Sequence, residues 1–279
     1  MKALVSFLLA TCYFSFSYAN CDTTLFEDEF KNGGRVTGQM VCDQKHGEWK
    51  FFDRKDRLIE KVIYENGLMQ GERSLWYPNG QEKSREQYDK GKFDGPVMHW
   101  SEEGQILVEE HYKNGLLEGV QKKWYEDGRL YSVIYFKQGK KNGTSEVYWP
   151  NGNLMEQSTF ATGELNGEKK TYFEDGKVES VKTYTKGVLD GQYMAYFEDG
   201  KMNREGEYTN GKPNNHWVTY HSNGQMSSRG NYRLGNKEGM WEQWHRNGKP
   251  KSKGSYSQGS RIETWYSWTE NGKKSKTKY

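Results

Sequence analysis

The stretch GERSLWYPNGQEKSREQYDKGKFD, residues 71–94, holds two short runs of strand-forming character and two turns. The first run is Glu72 to Tyr77 and the second Gln81 to Tyr88, with Pro78-Asn79-Gly80 between them. A dipeptide such as Asn79-Gly80 tolerates positive φ and is the strongest short-range hairpin signal. Gly91, ahead of Gly95, marks a second turn that reads as the looser of the two. No segment carries a 3.6-residue apolar period long enough for a helix, so the stretch reads as one β-hairpin.

The same pattern recurs every 24 residues. Units open at Gly47, Gly71, Gly95, Gly119, Gly143, Gly167, Gly191, Asn215, Gly239 and Glu263, so eight of ten begin with glycine and the register never slips. Position 6 is aromatic in every unit: Phe52, Trp76, Trp100, Trp124, Tyr148, Tyr172, Tyr196, Tyr220, Trp244 and Trp268. Position 18 is aromatic from Tyr64 to Tyr256, and position 21 is glycine from Gly67 to Gly259. A strict period of this length is the signature of a repeat architecture in which each unit buries its face against its neighbours. The expected fold is all-β, an elongated array of tandem antiparallel hairpins forming a twisted ribbon or solenoid of roughly 90–100 Å at about 4.8 Å per strand.

Composition agrees with a thin array. Hydrophobic residues make up 33% of the 279, too few for a thick core, while aromatics reach 15%, too many for a disordered chain. The 41 basic and 38 acidic residues nearly balance, which gives no support to a nucleic-acid partner. Residues 1–19 read as a signal peptide: Lys2, an apolar stretch from Ala3 to Phe16, and Ser17-Tyr18-Ala19 before a cleavage site after Ala19. The protein is therefore expected to be exported, as a periplasmic, outer-membrane-associated or secreted chain. Lipidation at Cys21 is a weaker alternative, because Asn20 is a poor residue before a lipidated cysteine. Cys21 and Cys42 form an even pair in an exported chain and are expected to bridge an N-terminal cap over residues 20–46. Residues 47–279 form the ten repeats, the last one partial.

Alternation along the second run places positions 12, 14, 16 and 18 on one side, with apolar residues at 12, small ones at 14 and 16, and the ring at 18. Rings at 6 and 18 read as the core of each hairpin. Position 7 (Tyr77, Tyr125, Trp149, Phe173, Phe197) and position 3 (Trp217, Trp241, Trp265) then point to the opposite face. These eight are the candidate binding residues, since exposed ring ladders stack on sugars or anchor a protein. The competing reading is a curled solenoid that buries both sets.

Tyr64-Glu65-Asn66-Gly67-Leu68-Met69-Gln70-Gly71, with Tyr88, Gly91 and Gly95 and again Tyr184, Gly187 and Gly191, resembles the MORN repeat (membrane occupation and recognition nexus) in its bacterial variant. The resemblance covers about residues 38 to 279. Departures are Asn215 and Glu263 at the opening glycine, Asp56 at the first-turn glycine, and residues such as Trp49, Val97 and Tyr193 in place of a second glycine. It implies an extended hairpin array used in protein–protein or membrane-associated assembly. Relatives of this kind are often labelled antitoxin components, which would fit this chain if its partner were also exported.

Catalytic chemistry is not in view. No Gly-x-Ser-x-Gly, P-loop or His-Glu-x-x-His motif occurs. His221 and His245 share one repeat position, about 10 Å apart across two strands, too far to share a zinc ion. Adjacent carboxylates such as Glu126-Asp127, Glu174-Asp175 and Glu198-Asp199 fall in turns, where Asp before Gly serves the turn itself. The C-terminal lysines Lys273, Lys274, Lys276 and Lys278 read most simply as protection of an edge strand, and alternatively as a basic pole for anionic lipid or glycan. The sequence thus points to a non-enzymatic exported scaffold with no cofactor or metal. A protein partner is favoured; a cell-wall glycan, an anionic membrane and a toxin-type partner are the alternatives.

Overall fold

A computed structural model describes residues 22–31 and 33–279, so the segment expected as a signal peptide and Cys21 lie outside the described residues. Among these residues 23 strands and no helix form one open antiparallel sheet in which each strand pairs with the next in the chain, except that Leu116–Leu117 and Gly119–Trp124 are two pieces of one interrupted strand, both paired with Ile106–Lys113. The sheet is a single layer that does not close, a twisted ribbon. The order begins with β1 (Thr23–Glu29), β2 (Arg35–Val41), β3 (Gln44–Phe52), β4 (Leu58–Glu65), β5 (Leu68–Trp76) and β6 (Glu82–Asp89), and the pattern repeats to the last strand, Lys274–Lys278. The segment expected as a cap takes the form of a hairpin, β1–β2, continuous with the ribbon. Cys42 is disulfide-bonded.

Two different turns alternate along the ribbon. At the first, Gly80 N–H donates to Tyr77 O at 2.9 Å and only the glycine takes positive φ, at 88°. This is a type I turn closed by a left-handed residue. At the second, Lys90 and Gly91 both have positive φ, 48° and 78°, between the paired Asp89 and Lys92. It is a two-residue type I′ turn, so the turn expected to be looser is the tighter one. Its glycine is favoured by that positive φ. Besides taking positive φ, Gly91 donates its N–H to Met69 O of the preceding unit at 2.8 Å, and Gly67, Gly115 and Gly139 make the equivalent bond.

Pairing settles the two faces. Within a hairpin, position 1 pairs with 18 and 3 with 16, as in Gly71↔Tyr88 and Arg73↔Glu86. Odd positions of the first strand therefore share a face with even positions of the second. A bulge then pairs Leu75 with Ser84 but Trp76 with Glu82, skipping Lys83. Position 12 consequently turns to the side of position 6, away from 14, 16 and 18. The expectation that rings at 6 and 18 share one core is corrected. They lie on opposite faces, and position 3 joins 18.

The buried row runs along positions 3 and 16. Toward the C-terminal end it is Tyr193, Trp217, Trp241 and Trp265, with Trp217, Trp241 and Trp265 at most 6% exposed. Each indole interleaves with position-18 tyrosines. Centroid distances are 5.2 Å for Tyr208–Trp217, 5.9 Å for Trp217–Tyr232, 5.1 Å for Tyr232–Trp241, 6.2 Å for Trp241–Tyr256 and 4.9 Å for Tyr256–Trp265, all edge-to-face. Beneath them lie Gly206, Gly230 and Gly254, none at positive φ; a Cβ on any of them would meet an indole carbon at 2.2 to 2.4 Å. The indole N–H donates to a backbone carbonyl beside the local register shift: Trp217 Nε1 to Glu207 O, Trp241 to Asn231 O and Trp265 to Ser255 O, at 3.0–3.1 Å. Trp49 over Gly38 repeats the arrangement at the other end, within a cluster with Val36 and Val62.

Between these apolar ends the row is mainly polar and internally bonded, with Val97 a buried apolar member. Arg73 donates to Glu60 at 2.8 Å and to Glu86 at 2.9 Å, and Glu86 also accepts from Ser84 and Tyr88. Gln121 donates to Glu110 at 2.6 Å, and Lys169 pairs with Glu156 at 2.8 Å. Burial works against the Arg73 charge, but bonding and attraction from the two glutamates more than offset it and leave its pKa raised.

Gly230→Ala is expected to cost about 1–3 kcal/mol by overpacking against Trp241, read as a lower urea midpoint. The same change in a Trp241→Val background should cost markedly less. Ser132→Ala, which removes a buried hydroxyl without a partner, should leave the midpoint unchanged or raise it.

Candidate interaction surface

The face opposite the indole row carries the position-6 rings. All ten, from Phe52 to Trp268, are half-buried, so each presents part of a ring to solvent. Position 6 is held by charged neighbours at positions 4 and 15 and, for Phe52, by Arg35 paired directly opposite it. The Arg85 guanidinium lies 5.7 Å from the Trp100 ring, Arg229 lies 5.4 Å from Trp244, and Arg35 lies 4.1 Å from Phe52. Tyr148 donates to Glu146 at 2.6 Å and Tyr220 to Glu205 at 2.8 Å. Glu242 bridges Lys253 at 2.9 Å and Arg229 at 2.7 Å; the bond to Lys253 is the largest cause holding its carboxyl below the usual range, with Arg229 adding to it. Beside Gly206 this face dips into an open groove of about 340 Å³ bordered by Gln192, Met194, Glu205, Glu207, His216 and Val218. It is wide and polar, a shape for a protein surface more than for an enclosed small molecule.

Position 7 has a different task from the one the sequence suggested. Tyr77 Oη donates to Trp100 O at 2.9 Å, Tyr125 Oη to Tyr148 O at 2.8 Å and Trp149 Nε1 to Tyr172 O at 3.3 Å. His221 and His245 make the same contact to Trp244 O at 3.0 Å and Trp268 O at 2.8 Å. Each side chain reaches across one period to the backbone of the next hairpin. The two histidines, too far apart in the sequence reading to share a zinc ion, are such ties. Phe173 and Phe197, which have no donor, leave that carbonyl without this bond. Phe173 instead lines a hollow between turns with Asn151, Glu174, Asp175, Glu198 and Asp199. The acidic residues there serve the turns: Asp175 and Asp199 each accept the backbone N–H two residues on and pair with Lys177 and Lys201.

Trp217, Trp241 and Trp265 do not form the exposed ladder that alternation from position 6 suggested. The 3↔16 pairing brings them onto the tyrosine side, where neighbouring rings cover them. A row missed by the sequence reading is position 24. Gln70, Asp94, Glu118, Asn142, Asn166, Asp190, Asn214 and Glu238 all accept the position-20 backbone N–H of the following hairpin, as in Gln70 Oε1 from Lys90 N at 2.9 Å. The signal was present, because each of these residues carries a side-chain oxygen at the same place, directly before the residue that opens a unit. Among the described residues no three His, Cys, Asp or Glu side chains gather as a metal site, and no helix is long and apolar enough to cross a membrane.

The family profile described as the MORN repeat variant matches seven segments: residues 93–114, 117–138, 141–161, 165–186, 189–210, 213–233 and 237–258, together more than half the chain. This chain belongs to the MORN repeat variant family. Each matched MORN segment spans one strand pair joined by the type I turn, so the structural unit is cut at the type I′ turns. The MORN repeat is a binding module, and the chain is accordingly a repeat scaffold. Residues 47–92, outside the matches, fold into hairpins of the same geometry. No curated protein matches the sequence. A solved structure, "Crystal Structure of TcdB2-TccC3 without hypervariable C-terminal region", aligns with 90% of this chain and 17% of that chain at 12% identity; its TM-score of 0.18 carries no argument. The chain thus spans under a fifth of that solved chain's length.

Tyr125→Phe should lower stability by about 0.5–1.5 kcal/mol through the lost tie while leaving the position-6 face unaltered by near-ultraviolet circular dichroism. A pH test is available in the first repeat. Asp53 accepts from the Arg57 side chain at 2.6 and 2.8 Å and from two backbone N–H groups, which lowers its pKa to about 2, the Arg57 side chain being the largest cause. Since the folded value is depressed, the contribution of Asp53 is present above the unfolded carboxylate value and lost as pH falls toward about 2. A carboxyl carbon NMR titration should show that midpoint, moving up in Arg57→Ala.

Proposed function

We propose that this chain is an exported, non-enzymatic MORN scaffold that holds a protein partner along the position-6 face. The observation that carries this reading is the unbroken row of ten half-exposed rings framed by paired charges. Rings that are rigid and already desolvated on one side lose little entropy on contact, and flanking charges give register and specificity. The opposite face, by contrast, turns its indoles inward. The glycan alternative loses the feature that motivated it, since Trp217, Trp241 and Trp265 are covered. Export is supported by the signal-like residues 1–19 and by a disulfide at Cys42, which persists in an oxidising compartment. In this reading residues 20–46 are the N-terminal cap and residues 47–279 the binding array.

The test places a photo-crosslinking side chain on each face in the native host. Substitution at Lys122 or Val133, which pair with each other on the ring face near Trp124 and Tyr148, is expected to yield one recurrent protein adduct. Substitution at Lys182, which pairs with Tyr193 on the indole side, should not. Adducts to glycan or lipid only, or equal protein capture from both faces, would overturn the proposal. The recovered chain should begin at Asn20; an intact Met1 would remove the export part.

A further inference from the structure

The ribbon is open, and among the described residues its two outermost strands each pair on one side only. β1 pairs with β2, and the last strand, Lys274–Lys278, pairs with Ser260–Trp268. The free edges carry opposite charge. β1 has Glu27, Asp28 and Glu29, all exposed, with Leu25 86% exposed. The last strand has Lys274, Lys276 and Lys278, all exposed. We infer that these edges join two copies of this chain head to tail, adding β1 of one copy to the last strand of another in the register already used between hairpins.

The register follows from the ribbon itself. At every junction between hairpins the second strand of one unit lies antiparallel to the first strand of the next. Position 16 stands opposite position 3, as in Val62↔Arg73 and Glu86↔Val97, and position 15 opposite position 4, as in Arg229↔Glu242. The place of each edge residue in this scheme is set by its own hairpin. Thr277 pairs with Trp265 as Gly254 pairs with Trp241, so Thr277 stands in position 16. Phe26 pairs with Gly38 and packs on Trp49 at 5.2 Å, so Phe26 stands in position 3. Continuing the scheme sets Thr277 opposite Phe26, Lys276 opposite Glu27, Ser275 opposite Asp28 and Lys274 opposite Glu29.

Two lysine–glutamate pairs then fall directly across the new junction on one face. Cross-strand pairs of opposite charge are favourable and like charges directly opposite are not. Joining two basic edges would set lysine against lysine, and joining two acidic edges would set carboxylate against carboxylate. The edge charges thus block both same-end contacts and leave one productive combination. A heterologous contact closes into a ring or propagates as a filament according to its rotation, and one that continues the ribbon's own register extends the ribbon as a filament. Present local contacts are compatible: Glu27 meets Arg35 at 3.4 Å, and the Lys274 ammonium lies 4.2 Å from the Tyr266 ring, both at the solvent surface.

The experiment uses the purified full chain, with sedimentation velocity and negative-stain microscopy over rising concentration at about 0.02 M and about 0.5 M salt. End-to-end assemblies are expected at low salt and dissociation at high salt. Lys274→Glu with Lys276→Glu, and separately Glu27→Lys with Glu29→Lys, should each weaken association by about tenfold or more, as two attractive pairs become repulsive. Far-ultraviolet circular dichroism confirms that both variants remain folded. Mixing the two variants should restore association, because each then presents the charge the other lacks. A chain that stays monomeric throughout, assemblies indifferent to either charge reversal, or a mixture that fails to reassociate would each overturn the inference.

Discussion

A single-layer sheet has no second layer to cover it, and this sets every other feature of the protein. Burial has to come from neighbours along the ribbon, so a side chain at position 3 must fill the space above position 16 on either side. Where that side chain is an indole, the residue below has to be glycine. Trp217, Trp241 and Trp265 above Gly206, Gly230 and Gly254 follow from this constraint. Trp49 above Gly38 follows from it too, at the opposite end of the ribbon. Where the side chain is shorter, position 16 grows to compensate, as with Val97 beside Glu86 and Gln121 beside Glu110.

The consequence is a ribbon with apolar ends and a mainly polar middle. The ends are held by interleaved rings, with Lys45, Lys237 and Arg261 lying over the indoles at 4.2 to 4.3 Å. The middle is held by Arg73, Glu60 and Glu86 and by Lys169 with Glu156. A half-satisfied polar network would be worse than an apolar one, and here each of these charges has a partner. Two rows at the turns complete the connection between units. Position-7 donors tie one hairpin to the next on one side of the ribbon, and position-24 acceptors cap the type I′ turns on the other. Nearest-neighbour ties of this kind are what make a repeat protein quasi-one-dimensional.

These ties also decide which surface is left for binding. The tyrosines and the tryptophan of position 7 are committed to backbone carbonyls, and the position-3 indoles are covered. What stays open is the position-6 face, whose rings are neither buried nor fully exposed. Its frame of ion pairs contributes little to stability at a solvated surface, but it arranges charge at fixed spacing, which suits recognition of another protein.

The 24-residue period, the turns and the all-β class were legible in the sequence, because turn chemistry and strand alternation are local properties. Asn79-Gly80 announces a hairpin whatever surrounds it, and the glycines at position 21 mark a turn in every unit. Local rules could not tell which rings share a face. That depends on the pairing of position 1 with 18 and on a bulge that skips one residue, both properties of two strands together. The same limit applied to Trp217, whose burial depends on a glycine one strand away, and to Tyr77, whose hydroxyl reaches a carbonyl 23 residues on. Sequence alone determined that this chain is a ladder of hairpins. Only the tertiary structure decided which side of the ladder is inside, because in a single sheet inside and outside are set by register, and register is a relation between strands.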